Sequence, residues 1–213
     1  MGRSMLTLAI TTSTSIVGIA MGSSIRQIET DRRHAEEIPL LISQVAEQES
    51  VKVSEIERLV VDIGPGRFTG LRVGVAIAKG LALATGAEVV GLTSLEILAA
   101  GHQARPVAAV IDARRGEVFQ QVFGPNGPLD APVVGDPTVL GPQLGEVSSI
   151  GDGADRYRDQ YGGEAMSYLN GGVPSAAVML RLADVRPSIK GDELVPVYLR
   201  DPDVTVNIKT RGG

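Results

Sequence analysis

The residues around Gly64-Pro65-Gly66 are the part of the chain most like a phosphate-binding loop, because they follow a hydrophobic run and precede a long apolar segment. Such a turn can bind an anion through the unpaired backbone amides at the start of a helix. A Walker loop needs four residues between its glycines and a lysine after them, but Gly66 and Gly70 are one residue too close, and Leu71-Arg72 follows. A dinucleotide-binding loop would need a glycine at Thr69. The spacing therefore favours a structural turn, with anion binding at the helix N-terminus as the alternative.

Other side chains with catalytic potential are few. The chain has two histidines, His34 and His102, which do not form a helical zinc motif, and it has no cysteine. No serine stands in a G-x-S-x-G elbow. We expect His34, beside Glu36 and Glu37, to cap a helix or lie on its surface. The sequence therefore gives no support to zinc, thiol or serine-nucleophile chemistry, and it predicts no metal site.

The composition is that of an ordinary globular chain of 213 residues, with 43% hydrophobic and 3% aromatic residues. The absence of cysteine suits a reducing compartment, and the N-terminus lacks the features of a signal peptide. No uninterrupted apolar run reaches the roughly 18 residues that a bilayer requires. We therefore expect a cytoplasmic protein without membrane contact. The net charge of −5 argues against direct binding of nucleic acid, because such binding depends on lysine and arginine.

The elements that must position these residues begin with a meander of three strands over residues 5 to 30. A helix follows over residues 34 to 49, and its apolar side chains recur at i, i+3, i+4 and i+7: Ile38, Leu41, Ile42 and Val45. Proline is tolerated in the first turn of a helix, so Pro39 predicts that this helix begins close to Glu36.

A second helix is predicted over residues 69 to 85, after a strand buried on both faces. This helix has two apolar stripes, one of Leu71, Val75, Ala78 and Ala82, and one of Val73, Ile77, Gly80 and Ala84. One stripe can pack on a sheet, and the other then needs a further cover. Gly70 and Gly74 would let a second helix approach closely. The cover is either a helix of the same domain or, as the sharper hypothesis, a partner at a subunit interface that uses both predicted helices. The interface residues of that hypothesis are Ile38, Leu41, Ile42, Val45, Gly70, Arg72, Val73, Gly74, Val75, Ile77 and Ala78.

The second half of the chain repeats the pattern of the first. Residues 107 to 124 align with residues 6 to 22, which places Asp112 opposite Thr11. Before this repeat, a strand at 87 to 93 leads to a helix that Thr93 and Glu96 open as a capping box. After it, the expected elements are a third strand near 132 to 134, a short helix opened by Asp136, a strand at 147 to 150, a loop at 151 to 157, and a helix over 174 to 185.

Two βββαβα halves are the plan of an α/β protein with the actin-like (ASKHA, ribonuclease-H-like) fold and mixed sheets, in which two β-hairpins face each other across a cleft. We predict an N-terminal subdomain over residues 1 to 103, which carries the interface helices. A C-terminal subdomain over residues 104 to 200 and a tail over residues 201 to 213 complete the predicted organisation.

The predicted cleft lacks parts that phosphoryl transfer requires. In an actin-like phosphotransferase, the first hairpin supplies an aspartate for a metal-bound water and a glycine-rich turn for phosphate. This chain has Thr11 at the aspartate position, and Thr12 lies in a turn without glycine. The second hairpin keeps Asp112. The sequence thus predicts at most a vestigial nucleotide cleft of Thr11, Thr12, Asp112 and Arg114, with an ordinary salt-bridged turn at 112 to 117 as the simpler alternative.

Several of these motifs occur together in one known family. The chain contains, in order, RRHAEEIPLLI (32 to 42), DIGPGRFTGLRVGVAIAKGLALATG (62 to 86), VVGLTSLEILA (89 to 99), IDARRGEVF (111 to 119) and PVYLR (196 to 200). In these segments it resembles the bacterial TsaB family, also called YeaZ, over residues 5 to about 200. One departure is that family members usually have AIDTS where this chain has AITTS, so Thr11 replaces the aspartate.

The resemblance implies a scaffold rather than an enzyme. Members of this family bind and activate TsaD, the related subunit that transfers a threonylcarbamoyl group to adenosine 37 of tRNA, and the ATPase TsaE completes the assembly. The helices at 34 to 49 and 69 to 85 correspond to those that form a bundle with TsaD, or a homodimer in isolation. The resemblance implies no cofactor for the chain alone, ATP or ADP only in the complex, and only indirect contact with tRNA.

Two other functions remain open from the sequence. One is an actin-like enzyme that depends on a nucleotide or a metal, either a kinase or ATPase or a glycoprotease-like peptidase. The other is a homodimeric binding module unrelated to tRNA. The first requires ligand binding by the isolated chain, and the second requires that the tRNA modification be independent of the protein.

Overall fold

The computed structural model describes residues 5–30, 33–161 and 172–200 of the chain. The predicted tail at 201 to 213 lies outside the described residues, as does Arg32, the first residue of the quoted motif at 32 to 42.

The first half of the chain forms a five-stranded mixed sheet. Its strands are β1 (Thr7–Thr11), β2 (Ile16–Met21), β3 (Ser24–Glu29), β4 (Arg58–Asp62) and β5 (Glu88–Leu92). They lie in the order β3-β2-β1-β4-β5. The first three pair antiparallel as the predicted meander, whereas β4 and β5 run parallel to β1.

A second mixed sheet follows in the other half. Its strands are β6 (Val107–Arg114), β7 (Glu117–Gly124), β8 (Gly127–Pro128), β9 (Val133–Gly135) and β10 (Ser148–Ile150). The neighbours β9-β7-β6-β10 repeat the arrangement β3-β2-β1-β4, because β10 is parallel to β6 and the others pair antiparallel. This confirms the predicted repeat, although no strand among the described residues corresponds to β5.

Seven α-helices accompany these sheets in the described part of the chain. They are α1 (His34–Gln48), α2 (Phe68–Thr85), α3 (Ser94–Ala100), α4 (Pro137–Gln143), α5 (Asp152–Arg156), α6 (Arg158–Tyr161) and α7 (Ala176–Leu182). Short 3₁₀ turns occur at Val53–Glu55, Ala183–Val185 and Gly191–Glu193. The predicted loop at 151 to 157 is wrong, because α5 occupies most of it.

Local capping residues set the helix boundaries. Two details of these boundaries differ from the sequence prediction. Helix α1 begins at His34, so Pro39 lies in its second turn rather than its first. Helix α2 ends at Gly86, which takes the left-handed conformation (φ 75°) that favours glycine. At α3, the Thr93 side chain accepts from the Glu96 amide at 3.2 Å, but the Glu96 carboxylate pairs with Arg186. The capping box is therefore only half formed.

One helix from each half of the sequence packs on the sheet of the other half. Helices α1 and α2 cover one face of the first sheet, and α7, from the second half of the sequence, covers the other face beside Ala9, Ala20 and Val60. Helix α3, from the first half, packs Leu95 and Leu98 on the second sheet. The predicted subdomain boundary at residue 103 stays a prediction. Each half nevertheless contributes a helix to the hydrophobic core around the sheet of the other.

Helix α2 also bears on the membrane prediction. With 18 residues and only two charged side chains, it is long and apolar enough to cross a bilayer, which the sequence analysis had excluded. Its buried stripe lies in the core of the first half, beside α1 and the sheet. A helix in such a core passes the same test of length and composition, so this finding is weak support for a membrane span.

Candidate functional site

Helix α2 has one buried apolar stripe and one that faces outward. Leu71, Val75, Ala78 and Ala82 are at most 7% exposed and pack in the core of the first half, as predicted for one stripe. The opposite side, here called the open stripe, consists of Val73, Ala76, Ile77, Gly80, Leu83 and Ala84. Val73 and Ile77 are half-buried, and the other four are exposed, with Leu83 at 89%. The predicted second stripe is thus only partly covered in the described monomer, because Val73 and Ile77 also pack at the edge of the core while Gly80 and Ala84 are exposed.

Most of the residues predicted for a subunit interface lie inside the monomer instead. The buried ones are Ile38, Leu41, Ile42, Val45, Gly70, Gly74, Val75 and Ala78. In the monomer the first sheet and the neighbouring turn already cover these eight, so their direct contact with a partner stays a prediction. Arg72, Val73 and Ile77 remain at the surface, so for them the interface stays a prediction.

The outer side of α1 contributes little apolar surface beside the open stripe. Leu40 is 53% exposed, and its neighbours on that side are Ala35, Glu36, Ser43, Gln44 and Glu47. The helical period correctly found the apolar face of α1, but that face belongs to the core. The candidate docking surface is therefore centred on α2.

The β1–β2 turn packs closely on the glycines at the start of α2. A Cβ added at Gly70 would overlap the carbonyl oxygen of Thr12, and one added at Gly74 would overlap the Thr12 side chain. Gly66 is equally close to the carbonyl of Ser13. The β1–β2 turn thus lies directly on the start of α2, and helix α1 approaches only Gly70, through His34.

His34 is also placed differently from the prediction. It is only 2% exposed, and its Nε2 lies 3.0 Å from the position that a Cβ on Gly70 would occupy. The first turn of α1 therefore packs against the same small-residue surface of α2, and His34 is neither a cap nor a surface residue. By contrast, the Nδ1 atom of His102 accepts from the Ala104 amide at 3.0 Å, which is a local turn contact.

A buried carboxylate that the sequence analysis did not single out holds several elements together. Asp62, at the end of β4, accepts from the Thr11 hydroxyl at 2.7 Å, the Ser94 hydroxyl at 2.5 Å and the Gly64 amide at 3.0 Å. Burial raises the pKa of Asp62, and these hydrogen bonds oppose the rise. Thr11 is consequently occupied in a network within the protein. An acidic residue at the end of a buried strand was the available sequence signal.

The second hairpin has its own polar cluster. The Asp112 carboxylate accepts from the Arg114 amide at 2.9 Å and lies 3.5 Å from the guanidinium groups of Arg114 and Arg156. The Asp112 amide donates to Asp152 at 3.0 Å. Burial raises the pKa of Asp152, and the negative charge of Asp112 adds to that effect. The predicted salt-bridged turn is confirmed for Arg114.

A polar cleft of about 270 Å³ separates the start of α2 from the second hairpin. It is lined by residues 65–70, 112–115 and 197–200, together with His34 and Phe119. Asp112 and Arg114 reach this cleft, whereas Thr11 and Thr12 do not line it. The four residues of the predicted vestigial nucleotide cleft are therefore not brought together.

Residues 197–200, here called the strap, cross this cleft. The Val197 amide donates to the Ile63 carbonyl at 2.7 Å on the side of the first sheet. Arg200 donates to the Glu117 carboxylate at 2.5 Å and to the Ala113 carbonyl at 2.8 Å on the other side. The strap thus joins the two halves beside the N-terminal end of α2.

Two mixed sheets with the same strand order, facing across a cleft, define an actin-like protein. YeaZ from Pseudomonas aeruginosa superposes with a TM-score of 0.81 at 24% identity, covering 92% of this chain and 100% of that one. The predicted fold class is therefore confirmed.

The sequence comparisons find relatives that are TsaB proteins. The tRNA threonylcarbamoyladenosine biosynthesis protein TsaB of Haemophilus influenzae is 29% identical over 221 residues, covering 91% of this chain and 93% of the relative. The TsaB protein of Escherichia coli K12 is 34% identical over 120 residues, covering 53% and 52%. Residues 25–126 also match the family model of TsaD, tRNA N6-adenosine threonylcarbamoyltransferase. The chain is thus a homologue of the TsaB (YeaZ) proteins over most of its length.

Proposed function

We propose that this chain is a non-catalytic, cytoplasmic scaffold that binds and activates TsaD during threonylcarbamoyl transfer to adenosine 37 of tRNA. The observation that carries the proposal is the open stripe of α2. Contiguous apolar surface exposed on a monomer marks an interaction site, because its contact with water is unfavourable. Leu83, the most exposed large side chain of the stripe, lies in its C-terminal part.

The match to TsaD supports that choice of partner. The matched segment, residues 25–126, contains both α1 and α2. Two chains that share this segment present related helices, and related surfaces can pair about an approximate two-fold axis. TsaD is then the partner in the complex, and a second copy of this chain occupies the same surface when TsaD is absent. TsaE joins through the complex, and tRNA contacts fall to the partners, as the net charge of −5 suggests.

An enzyme that uses a nucleotide or a metal is less well supported by the cleft. Thr11 is 1% exposed and bonded to Asp62, and Asp112 is paired with Arg114 and Arg156. A Mg²⁺–nucleotide site needs a carboxylate that can face the metal-bound water, and these residues do not fit that role. We propose that no cofactor binds this chain alone and that ATP or ADP enters only with the complex. Calorimetry of the isolated chain with Mg-ATP or Zn²⁺ should show no binding heat.

Replacement of Leu83 by glutamate tests the docking surface. Because a carboxylate buried without a partner is strongly unfavourable, Leu83→Glu should weaken binding to TsaD of the same organism by at least about a hundredfold. Leu83 is 89% exposed in the monomer, so its replacement should leave thermal unfolding unchanged. Affinity is measured by calorimetry or co-purification. Ile42 and Val75 are unsuitable for this test because they are at most 5% exposed and their replacement would unfold the core.

Leu129→Glu is the matched control, because Leu129 is an exposed leucine of the other half, at 65% exposure. It should bind TsaD as the wild type does. Equal affinity of Leu83→Glu and the wild type would overturn the proposed surface. In cells depleted of the protein, only binding-competent variants should restore threonylcarbamoyladenosine. Unchanged modification after depletion would favour a binding module unrelated to tRNA.

A further inference from the structure

Three side chains form a cluster at the N-terminal end of the open stripe. The guanidinium carbon of Arg72 lies 3.7 Å from the centre of the Phe68 ring, and its Nε donates to the Tyr198 hydroxyl at 3.2 Å. The two rings are 5.2 Å apart, and Tyr198 belongs to the strap. An exposed arginine is thereby held by its own helix and by a distant segment of the chain. This fixes its orientation before any partner binds.

Arg72 still has donors available for a ligand. Within the described residues, its hydrogen bond is the one from Nε to Tyr198, and the side chain is exposed, so the two terminal amino groups keep their donors for a ligand. Guanidinium groups present their donors in a planar fork that matches a carboxylate. Because the fork is already oriented, less side-chain entropy is lost when it binds.

The residue types in this cluster are those of interface anchors. Arginine and tyrosine dominate binding hot spots, and aromatic residues are enriched in interface cores. The chain has only three phenylalanines and four tyrosines, yet Phe68 and Tyr198 both lie in this one surface cluster. Tyr198 is 41% exposed. Apolar area for a partner continues directly from Arg72 along the open stripe.

We propose that Arg72 is the polar anchor of the docking surface and receives a carboxylate of the partner protein that packs on the open stripe. The proposal rests on the proposed function and adds the chemistry of the contact. Charge complementarity supports an acidic group, because the charged residues of α2 are Arg72 and Lys79, both basic. A protein is favoured over an RNA phosphate because Val73, Ala76 and Ile77 make the surroundings apolar.

Lys79 provides a matched control for the charge. It lies two turns further along α2, and its Nζ donates to the Asp192 carbonyl at 3.2 Å. No aromatic ring stacks on it among the described residues. Loss of the positive charge at Arg72 or at Lys79 changes the net charge of the helix by the same amount. Only Arg72, however, has a guanidinium group that neighbouring residues already orient.

Binding to TsaD of the same organism tests the anchor. Arg72→Gln should weaken binding by at least about thirtyfold, because it leaves the partner carboxylate unpaired in the interface. Arg72→Lys should lose at least about fivefold, since the ammonium lacks the planar fork. Tyr198→Phe, which removes only the hydroxyl that positions Nε, should lose about threefold. Lys79→Gln should bind like the wild type, and all four variants should unfold at the wild-type temperature.

The carboxylate is located from the partner side. Each aspartate and glutamate on the TsaD helices that match α1 and α2 is changed to its amide, and each change is combined with Arg72→Gln in a double-mutant cycle. One carboxylate should couple to Arg72, so that its loss has little further effect in the Arg72→Gln background. Additive effects at every position would overturn the proposal.

Other outcomes separate the two proposals. Failure of the wild-type chain to bind TsaD contradicts the proposed function itself. Tight binding that Arg72→Gln leaves unchanged overturns only the anchor. The anchor is also overturned if Arg72→Gln weakens only self-association, or only the binding of tRNA by the assembled complex.

Discussion

At the residue scale, Asp62 is a carboxylate at the centre of a buried network. It links β4 to Thr11 of β1 and to Ser94 of α3, and it accepts the Gly64 amide of the turn before α2. Removal of the carboxylate would leave these donors buried without partners, at about 1–3 kcal/mol each. Asp62 is therefore best understood as a structural residue that fixes the turn from which α2 begins.

The raised pKa of Asp62 predicts a pH dependence of stability. Burial favours the protonated form in the folded state, so the unfolded chain binds fewer protons between its own aspartate pKa, about 4, and the higher folded value. The stabilising contribution is present below that window and is lost as pH rises through it. Asp62→Asn, which stays neutral and keeps an acceptor for Gly64, should therefore gain stability relative to the wild type as pH rises. Urea unfolding from pH 4 to 7 measures this difference.

Asp136 provides the contrasting control. Its hydrogen bonds from the Thr138 hydroxyl and amide lower the pKa of Asp136, so its contribution is lost as pH falls. Asp136→Asn should accordingly show the opposite trend below about pH 4, so for this pair the urea unfolding is extended to about pH 2. A constant difference between Asp62→Asn and the wild type from pH 4 to 7 would contradict a raised pKa, and Asp62→Ala should be strongly destabilised at every pH.

At the element scale, α2 is shaped by three contacts at once. Its buried stripe packs in the core of the first half, its glycines receive the β1–β2 turn, and its open stripe faces outward. The helical period identified both apolar stripes because it depends only on spacing. It could not tell which stripe is covered, because that depends on how α2 docks on the assembled sheet and on a turn more than fifty positions earlier in the chain.

Two glycines of α2 should respond oppositely to the same substitution. Gly70→Ala would overlap the Thr12 carbonyl, so it should destabilise the fold by about 1–3 kcal/mol. Gly80 lies on the open stripe with nothing within 4 Å of an added Cβ, so Gly80→Ala should stabilise the helix by about 1 kcal/mol. Chemical denaturation of both variants gives the comparison. Destabilisation of equal size in the two would contradict the packing of the turn on Gly70.

At the scale of the whole molecule, the two halves are interlocked by helix exchange and by the strap. Met179 of α7 is fully buried and packs with the first sheet although it comes from the second half of the sequence. Val197 and Arg200 bond to opposite sides of the cleft. The cleft is therefore part of a cooperative unit rather than an open hinge, which suits a scaffold.

Replacement of Met179 tests this coupling. Met179→Ala should destabilise the protein by about 2–5 kcal/mol because it leaves a cavity on the first sheet. Hydrogen exchange should therefore show reduced protection in β1 as well as in the second half. Val139→Ala, at a site 56% exposed on α4, is the control and should change neither. Loss of protection confined to the second half would contradict the packing of α7 on the first sheet.

The amino-acid sequence by itself determined the repeated strand pattern, the two apolar stripes of α2, the Asp136 cap and the resemblance to TsaB, because local spacing and motifs encode them. Tertiary structure alone decided that Ile42, Val75 and His34 are buried and that Thr12 occupies the glycines of α2. It also brought Tyr198 to Arg72 across 126 positions. Such contacts depend on which elements meet after the sheets assemble, and a helical period defines a face of a helix without defining what covers it.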